Sequence, residues 1–230
     1  MQKKLWEASE KVKNNSNLFR YEKFLSKKFQ YKVSRNYEKL FRWSIQNKEK
    51  FWSSIWDFCN VKGQKKEKYS RANSFFKNKF LFNSKVNFAE NILSKKDNSK
   101  AITFISENGF REQISWKELN NNTSKLIKFF KSIGLNEKDR VAAYLPNIIE
   151  TVECFIATSA IGAIWSSCSP DFGTKGVIER FSQIKPKILI ISDRYYYNGK
   201  EINVIERLQE ISNKIKSIKT ILVINYPGKK

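Results

Sequence analysis

Hydrophobic and polar residues follow two different patterns along the chain, and these predict different structures. In residues 36–60, apolar side chains recur at helical spacing, for example at i, i+4 and i+7 from Phe51. This pattern predicts a helical stretch whose aromatic residues anchor a core. Residues 61–85 are polar, basic and weakly patterned, which predicts a connecting segment, and a short helix is predicted over residues 86–94.

From residue 100 onward, short apolar runs typical of strands alternate with amphipathic segments typical of helices. One helix is predicted to begin at the capping box Ser115-Trp116-Lys117-Glu118 and to stop at Gly134. The predicted strands are residues 101–106, 110–114, 140–145, 163–167, 187–192 and 220–224, and the other predicted helices are residues 146–161, 174–184 and 204–214. Strands separated by helices predict parallel pairing through crossover connections. The predicted fold class is therefore α/β: a helical N-terminal extension, then the first part of a layered, mostly parallel sheet with helices on both faces.

One loop of this predicted sheet differs in composition from the lysine- and asparagine-rich chain around it. Residues 166–173 read SSCSPDFG and follow a predicted strand. Ligands of open parallel sheets bind beyond the carboxyl ends of strands, and small side chains let a ligand approach the backbone closely. Tight packing between a helix and a strand would select the same small residues, so the residues alone leave both interpretations open.

The chain has no histidine, which excludes Ser-His-Asp and Cys-His nucleophilic machinery and histidine-rich metal sites. The cysteines Cys59, Cys154 and Cys168 are far apart and lack CxxC spacing. We therefore expect small buried thiols in a reducing compartment, without a disulfide framework or a zinc site. No apolar run approaches the roughly 20 residues of a membrane-spanning helix, and the start of the chain has no apolar stretch typical of a secretory signal. A cytoplasmic location and no membrane partner are expected.

The formal net charge of +22 raises the hypothesis of a nucleic-acid-binding protein. The composition of that charge argues against it, because 35 lysines stand against 9 arginines and the basic residues are dispersed. Such an excess of lysine is typical of an A/T-rich coding sequence, and no RNA-stacking module is evident. We expect no nucleic-acid partner, and nucleic-acid binding remains the least favoured alternative.

Several segments resemble, in the same order, those of the acetoacetyl-CoA synthetase family, acid–CoA ligases of the adenylate-forming superfamily. The matching segments are LFRWSIQNKEKFWSSIWDF, VNFAENIL, SWKELNNNTSKL, DRVAAYLPN, GAIWSSCSPDFG, VIERFSQIKPKILI and YYYNGK. The set WSSCSPDFG, RFSQIKPK and YYYNGK is the most specific. The resemblance implies that residues 1–95 are the N-terminal helical region typical of acetyl-CoA synthetases, and that residues 96–230 begin an AMP-binding domain.

The resemblance also implies a reaction and its cofactors. A short acid such as acetoacetate would react with ATP, in the presence of Mg²⁺, to give an acyl-adenylate and pyrophosphate, and the thiol of coenzyme A would then displace AMP. The substrates would thus be small molecules, and the reaction would belong to ketone-body and lipid metabolism.

The Ser/Thr/Gly-rich phosphate loop of the superfamily does not occur in these 230 residues. We therefore expect an N-terminal fragment that is inactive without the C-terminal part of the ligase, and we assign no catalytic residue. The alternative is a non-catalytic assembly module that works with a separately encoded remainder.

Coenzyme A contacts are the site residues that the resemblance implies. Ser169, Pro170, Asp171 and Phe172 correspond to a loop near the cofactor in the related acetyl-CoA synthetases, although the glycine pair of those enzymes is absent here. Tyr197 and Lys200 stand where those relatives carry two arginines that hold the 3′-phosphate. Lys200 can act as a point charge on phosphate, but a tyrosine in place of one arginine removes bidentate recognition. A turn-capping role for Asp171 and a solvated surface role for Lys200 are the alternatives.

Overall fold

The computed structural model describes residues 5–70 and 75–228. The chain divides into two compact units, Met1–Val86 and Asn87–Lys230. The functional boundary that the resemblance implies between residues 95 and 96 stays a prediction.

The first unit contains helices joined by short turns around a small aromatic core. Helices α1 to α4 span Glu10–Asn15, Asn17–Phe29, Tyr37–Gln46 and Lys48–Phe58. The core consists of the buried residues Tyr21, Leu25, Tyr31 and Leu40, with phenylalanine and tryptophan rings packed around them. The predicted helical stretch of residues 36–60 is helical, and it consists of two helices, α3 and α4. Asn47 has φ −119° and ψ 47°, and both its backbone and side-chain N–H groups donate to Trp43 O, which ends α3 before α4 begins.

The segment of residues 61–85 carries more structure than the sequence predicts. Gln64 pairs with Lys85 through two backbone hydrogen bonds of 2.8 and 3.0 Å, and Ser70 pairs with Lys79 in the same way. A 3₁₀ turn also covers Phe75–Lys77. These isolated bridges are too short to show as strand periodicity in the sequence.

The second unit follows the predicted alternation of strands and helices. Its elements are α5 (Phe88–Ile92), β1 (Lys100–Ile105), β2 (Arg111–Ser115), α6 (Trp116–Ser132), β3 (Arg140–Tyr144), α7 (Ile149–Ile161), β4 (Ile164–Cys168), α8 (Thr174–Ile184), β5 (Ile188–Ser192), β6 (Arg194–Tyr197), β7 (Lys200–Asn203), α9 (Leu208–Lys214) and β8 (Thr220–Ile224). A 3₁₀ turn at Ile205–Arg207 precedes α9, where a continuous helix was predicted. Among the described helices, none combines the length and apolar character that crossing a membrane requires.

Four strands form a parallel sheet in the order β4-β3-β5-β8, and this confirms the predicted fold class. Alternate residues of β3 face opposite sides of this sheet. Ala142 and Tyr144 pack in a cluster with α8 and α9, whereas Val141 and Ala143 pack in a cluster with α6 and α7. Both faces are thus covered by helices, as expected for strands that read as continuous apolar runs. Two antiparallel hairpins, β1–β2 and β6–β7, stand outside the parallel sheet.

Local sequence signals explain several boundaries. The predicted capping box is confirmed, because Ser115 Oγ accepts from Glu118 N at 3.2 Å and Glu118 Oε2 accepts from Ser115 N at 2.7 Å. Helix α7 begins three residues later than predicted, since Ile148 with φ −100° and ψ 170° is its N-terminal cap.

The expectation of buried thiols is confirmed for two of the three cysteines. Cys154 and Cys168 are buried, and burial raises the pKa of Cys154 to about 12, so it remains an uncharged thiol. The prediction is wrong for Cys59, which is exposed because it caps the C-terminal end of α4.

Candidate functional site

The loop after β4 lies at the carboxyl edge of the parallel sheet. Tyr144 and Cys168 are the last residues of β3 and β4 and stand opposite each other in the register of the two strands. The chain leaves Cys168, passes through residues 169–173 and enters α8 at Thr174. Open parallel sheets bind ligands at this edge, so the loop stands where a ligand can approach.

The four predicted residues of this loop differ in their exposure. Ser169, Asp171 and Phe172 are exposed, whereas Pro170 is buried. The ring of Phe172 is 37% exposed, and the guanidinium carbon of Arg180 lies 4.6 Å from its centre. The loop is therefore open to solvent on its side-chain surface, and it is not sealed within the core.

Two side chains from other elements hold the backbone of this loop. The hydroxyl oxygen of Tyr144 lies 2.9 Å from Pro170 O and 2.5 Å from Phe172 O, so its single O–H donates to one of these carbonyls. Arg207 Nη1 donates to Pro170 O at 2.9 Å and to Phe172 O at 3.2 Å, and it also donates to the Tyr144 hydroxyl. Burial raises the pKa of Tyr144, although the Arg207 hydrogen bond opposes this shift, so the phenol stays protonated near neutral pH.

Tyr197 and Lys200 belong to a different structural feature, the turn of the β6–β7 hairpin. They pair across the turn, and between them Asn198 and Gly199 have φ of +51° and +73°. Positive φ at both central residues is the geometry of a type I′ turn, which Asn-Gly favours. Tyr197 is 61% exposed and Lys200 is exposed, so the Lys200 ammonium is accessible to an anion.

Topology brings the two sets of predicted residues to the same edge of the sheet. The loop of residues 169–173 leaves the carboxyl end of β4, and the hairpin begins directly after the carboxyl end of β5, with β3 between these strands. The tip of the hairpin is tied to the turn between β1 and β2, because Gly199 N donates to Glu107 Oε2 at 3.3 Å.

Sequence reasoning missed Tyr144, Arg207 and the β6–β7 hairpin. The dipeptide Asn198-Gly199 is a strong hairpin signal and could have revealed the turn. Tyr144 was placed correctly in a strand, but no local pattern links it to a loop 26 residues away. Arg207 lies 35 residues beyond Phe172, and no sequence motif indicates their contact.

A second feature of this unit is an open, mostly apolar pocket of about 320 Å³ that Glu150 and Glu153 of α7 line together with Leu126, Leu222 and Ile224. Glu153 is 6% exposed and accepts from Asn122 Nδ2 at 2.8 Å. Glu150 Oε2 is buried, and it has no hydrogen-bond partner in the part of the chain that the structure describes. Burial raises the pKa of both carboxyl groups.

Glu150→Gln should reduce the pH dependence of stability. Because the pKa of Glu150 is higher in the folded than in the unfolded chain, the folded chain binds more protons between these two pKa values. Stability therefore falls as pH rises through this range and is level above the folded pKa. The free energy of unfolding, measured by urea denaturation from pH 4 to pH 7, should fall less in Glu150→Gln than in the wild type.

Glu210→Gln, on the exposed surface of α9, is the matched control and should retain the wild-type slope. An unchanged slope in Glu150→Gln would contradict this assignment.

Within residues 5–70 and 75–228, no three Asp, Glu or Cys side chains are grouped so that they could hold an ion. The Mg²⁺ implied by the resemblance is therefore not assigned to these residues. Coenzyme A is an extended, anionic molecule. The exposed cation of Lys200 and the solvent-exposed loop fit such a ligand at the protein surface.

Comparison with known proteins defines first the class of this chain. The sequence profile of the AMP-binding enzyme family matches residues 89–229. Because this match covers more than half of the chain, the chain belongs to the AMP-binding enzyme family.

Several of the individual relatives that match this chain carry the name acetoacetyl-CoA synthetase. The chain is 36% identical over 194 residues to acetoacetyl-coenzyme A synthetase of Rhizobium meliloti, covering 84% of this chain and 30% of the relative. It is 37% identical over 196 residues to acetoacetyl-CoA synthetase of Xenopus tropicalis, covering 83% of this chain and 29% of the relative. The structure of acetoacetyl-CoA synthetase from Streptomyces lividans matches with a TM-score of 0.91 and 25% identity, over 100% of this chain and 36% of that protein. The chain thus spans about 30% of the length of these sequence relatives.

Proposed function

We propose that this chain forms the N-terminal part of an ATP-dependent acid–CoA ligase whose substrate is acetoacetate or a similar short acid. The observation that carries this proposal is the agreement between sequence and structure: relatives named acetoacetyl-CoA synthetase match 83–84% of the chain, and a structure of that name matches all of it. The complete reaction would consume the acid, ATP and coenzyme A and would release acyl-CoA, AMP and pyrophosphate.

In this proposal the described residues contribute the coenzyme A side of the site. The exposed loop residues Ser169, Asp171 and Phe172 line the approach to the sheet edge, and Pro170 anchors the loop from the buried side. Lys200 supplies a positive charge for a phosphate group from the tip of a hairpin at the same edge. Tyr197 offers an exposed aromatic surface beside it.

The proposal also includes the dependence on a remainder of the ligase. The superfamily's phosphate loop does not occur in these residues, so we expect them to bind coenzyme A only weakly and to release no pyrophosphate by themselves. The substrates are small molecules and the location is the cytoplasm, in agreement with three cysteines that form no disulfide. The alternative remains a non-catalytic assembly module that works with a separately encoded remainder.

A chimaeric ligase tests this function. In it, the present chain replaces the matched part of the Rhizobium meliloti relative. We expect acetoacetate-dependent release of pyrophosphate and formation of acetoacetyl-CoA by the folded chimaeric ligase, and neither by the 230-residue chain. A chimaeric ligase that has a cooperative thermal transition but no turnover, or turnover by the isolated chain, would contradict the proposal. Turnover by the chain mixed with a separate C-terminal part would favour the assembly module.

Lys200→Met in the chimaeric ligase should raise the KM for coenzyme A roughly tenfold, because a hydrogen bond to a charged group contributes about 1.5–3 kcal/mol. We expect kcat to change little, since the phosphate lies far from the reacting thiol. Lys214→Met, also exposed, is the matched control and should leave both constants unchanged. Dephospho-coenzyme A, which lacks the 3′-phosphate, should erase the difference between wild type and Lys200→Met. An unchanged KM for coenzyme A in Lys200→Met would instead show that Lys200 is a solvated surface lysine.

A further inference from the structure

Arg207 contacts the loop of residues 169–173, and stabilisation of the adjacent helix α9 does not explain an arginine at this position. Arg207 ends the 3₁₀ turn at Ile205–Arg207 and stands at the N-terminal cap of α9. A cation is unfavourable at this end of a helix, because the helix dipole is positive there. Its side chain also gives α9 no capping hydrogen bond. The hydrogen bonds that Arg207 does form are directed to the loop and to Tyr144.

These hydrogen bonds fix the main chain of the loop at two carbonyl groups. Pro170 O and Phe172 O both lie within reach of Arg207 Nη1 and of the Tyr144 hydroxyl. Nη1 carries two N–H groups and the phenol carries one, and these three donors are shared among the two carbonyls and the phenol oxygen. A carbonyl of an irregular loop has no strand or helix partner, and such donors replace one. The loop also has an internal hydrogen bond from Phe172 N to Ser169 O of 3.1 Å.

The consequence is that the loop presents three of its side chains to solvent while Pro170 is buried. Its two anchored carbonyls are engaged from the buried side by Tyr144, which is fully buried, while Ser169, Asp171 and Phe172 are exposed. Arg207 and Tyr144 come from elements that lie on either side of the loop in sequence, so the conformation depends on the folded sheet. An arginine suits this role better than the lysine that dominates this chain, because its planar guanidinium holds several donors in a fixed geometry.

We propose that Arg207 and Tyr144 are positioning residues that hold the loop of residues 169–173 in the conformation that receives coenzyme A. This inference rests on the proposed function for the identity of the ligand, but the clamp itself is independent of the ligand. Neither residue contacts the reacting atoms in this proposal. They act through the backbone of Pro170 and Phe172.

Amide hydrogen exchange of the 230-residue chain tests the clamp. Arg207→Met should accelerate exchange of the peptide that covers residues 169–173 roughly tenfold, because a charge-assisted hydrogen bond to each of two carbonyls is lost. Exchange in β5, which is fully buried, should stay within about twofold and serves as the internal reference for global unfolding. Arg207→Lys should restore part of the protection, since one ammonium can still donate to the carbonyls. Arg111→Met is the matched control, because Arg111 is exposed on β2, and it should leave the loop unchanged.

Tyr144→Phe keeps the buried ring and removes only the hydroxyl. It should also accelerate exchange of the loop, and its combination with Arg207→Met should be non-additive because both act on the same carbonyls. Unchanged exchange of the loop in both Arg207→Met and Tyr144→Phe would overturn the clamp. A uniform rise that includes β5 would overturn it as well, since it would indicate general destabilisation.

The kinetic readout separates positioning from a purely structural role. In the chimaeric ligase, Arg207→Met should raise the KM for coenzyme A at least fivefold and leave the KM for acetoacetate unchanged, with Arg207→Lys intermediate. Equal changes in both constants, or none, would overturn the assignment to coenzyme A. Failure of the wild-type chimaeric ligase to turn over would contradict the proposed function, whereas the exchange experiment would still decide whether the clamp exists.

Discussion

Phe181→Ala should lower the free energy of unfolding of the sheet-containing unit by about 3–5 kcal/mol. Phe181 lies on α8, is fully buried, and packs with Val177, Ile191 and Ile211 on one face of the parallel sheet. Removing the ring leaves a cavity between α8 and the sheet that the close-packed neighbours fill only in part. Urea denaturation followed by circular dichroism measures the effect.

Phe172→Ala is the matched control for this substitution. The same side chain is removed nine residues earlier, but its ring is 37% exposed and contacts the Arg180 guanidinium at the surface. We expect a loss of about 1 kcal/mol, which is the size of an exposed cation–π contact. Losses of similar size in Phe172→Ala and Phe181→Ala would contradict the structure, because they would place both rings in the core.

Gly63→Ala should destabilise the first unit by about 2–4 kcal/mol, through backbone strain and overpacking together. Gly63 has φ +150°, a conformation that side-chain-bearing residues rarely adopt. An added Cβ would also lie far inside van der Waals contact with Lys85 O, the carbonyl that accepts from Gln64 N. The added methyl group would therefore force the bridge between Gln64 and Lys85 apart. Faster amide exchange at Gln64 and Lys85, together with a lower thermal transition of this unit, would report this loss.

Gly109→Ala isolates the contribution of backbone strain. Gly109 has φ +82° in the turn between β1 and β2, and an added Cβ there would meet no heavy atom within 4 Å. We expect a cost of about 1 kcal/mol from the positive φ alone. If Gly63→Ala cost no more than Gly109→Ala, the close approach of Lys85 to Gly63 would be wrong.

The sequence predicted best those elements whose signals are local. Helix α8 and strand β8 have the predicted bounds, because each is a complete periodic segment between turn residues. The capping box at Ser115 could be predicted equally well, since it depends on two side chains three residues apart. The helices on both faces of the sheet followed from the alternation of strands and helices along the chain.

Features that depend on contacts between distant residues were missed. The bridge between Gln64 and Lys85 joins residues 21 positions apart in a segment without periodicity, so its only local trace is a glycine. The break at Asn47 was hidden because apolar residues continue at helical spacing on both sides of it. The clamp formed by Tyr144 and Arg207 joins three elements, and no sequence motif contains both residues.

The candidate site was predictable in its location but not in its construction. Small residues after a strand indicated a loop at the sheet edge, and the structure has this loop open to solvent. Tyr197 and Lys200 were predicted as site residues from the family resemblance, whereas their position in a hairpin turn became evident only in the structure. Their contact with coenzyme A stays a prediction.

The segments that coenzyme A protects from amide exchange test most directly whether this edge of the sheet receives the coenzyme. Amide exchange of the folded chimaeric ligase should be compared with and without saturating coenzyme A, peptide by peptide. We expect slower exchange in residues 169–173 and in the hairpin of residues 194–203, with no change in α3, which serves as the reference. Protection that leaves both of these segments unchanged, in an enzyme that turns over, would contradict the claim that this edge of the sheet receives the coenzyme.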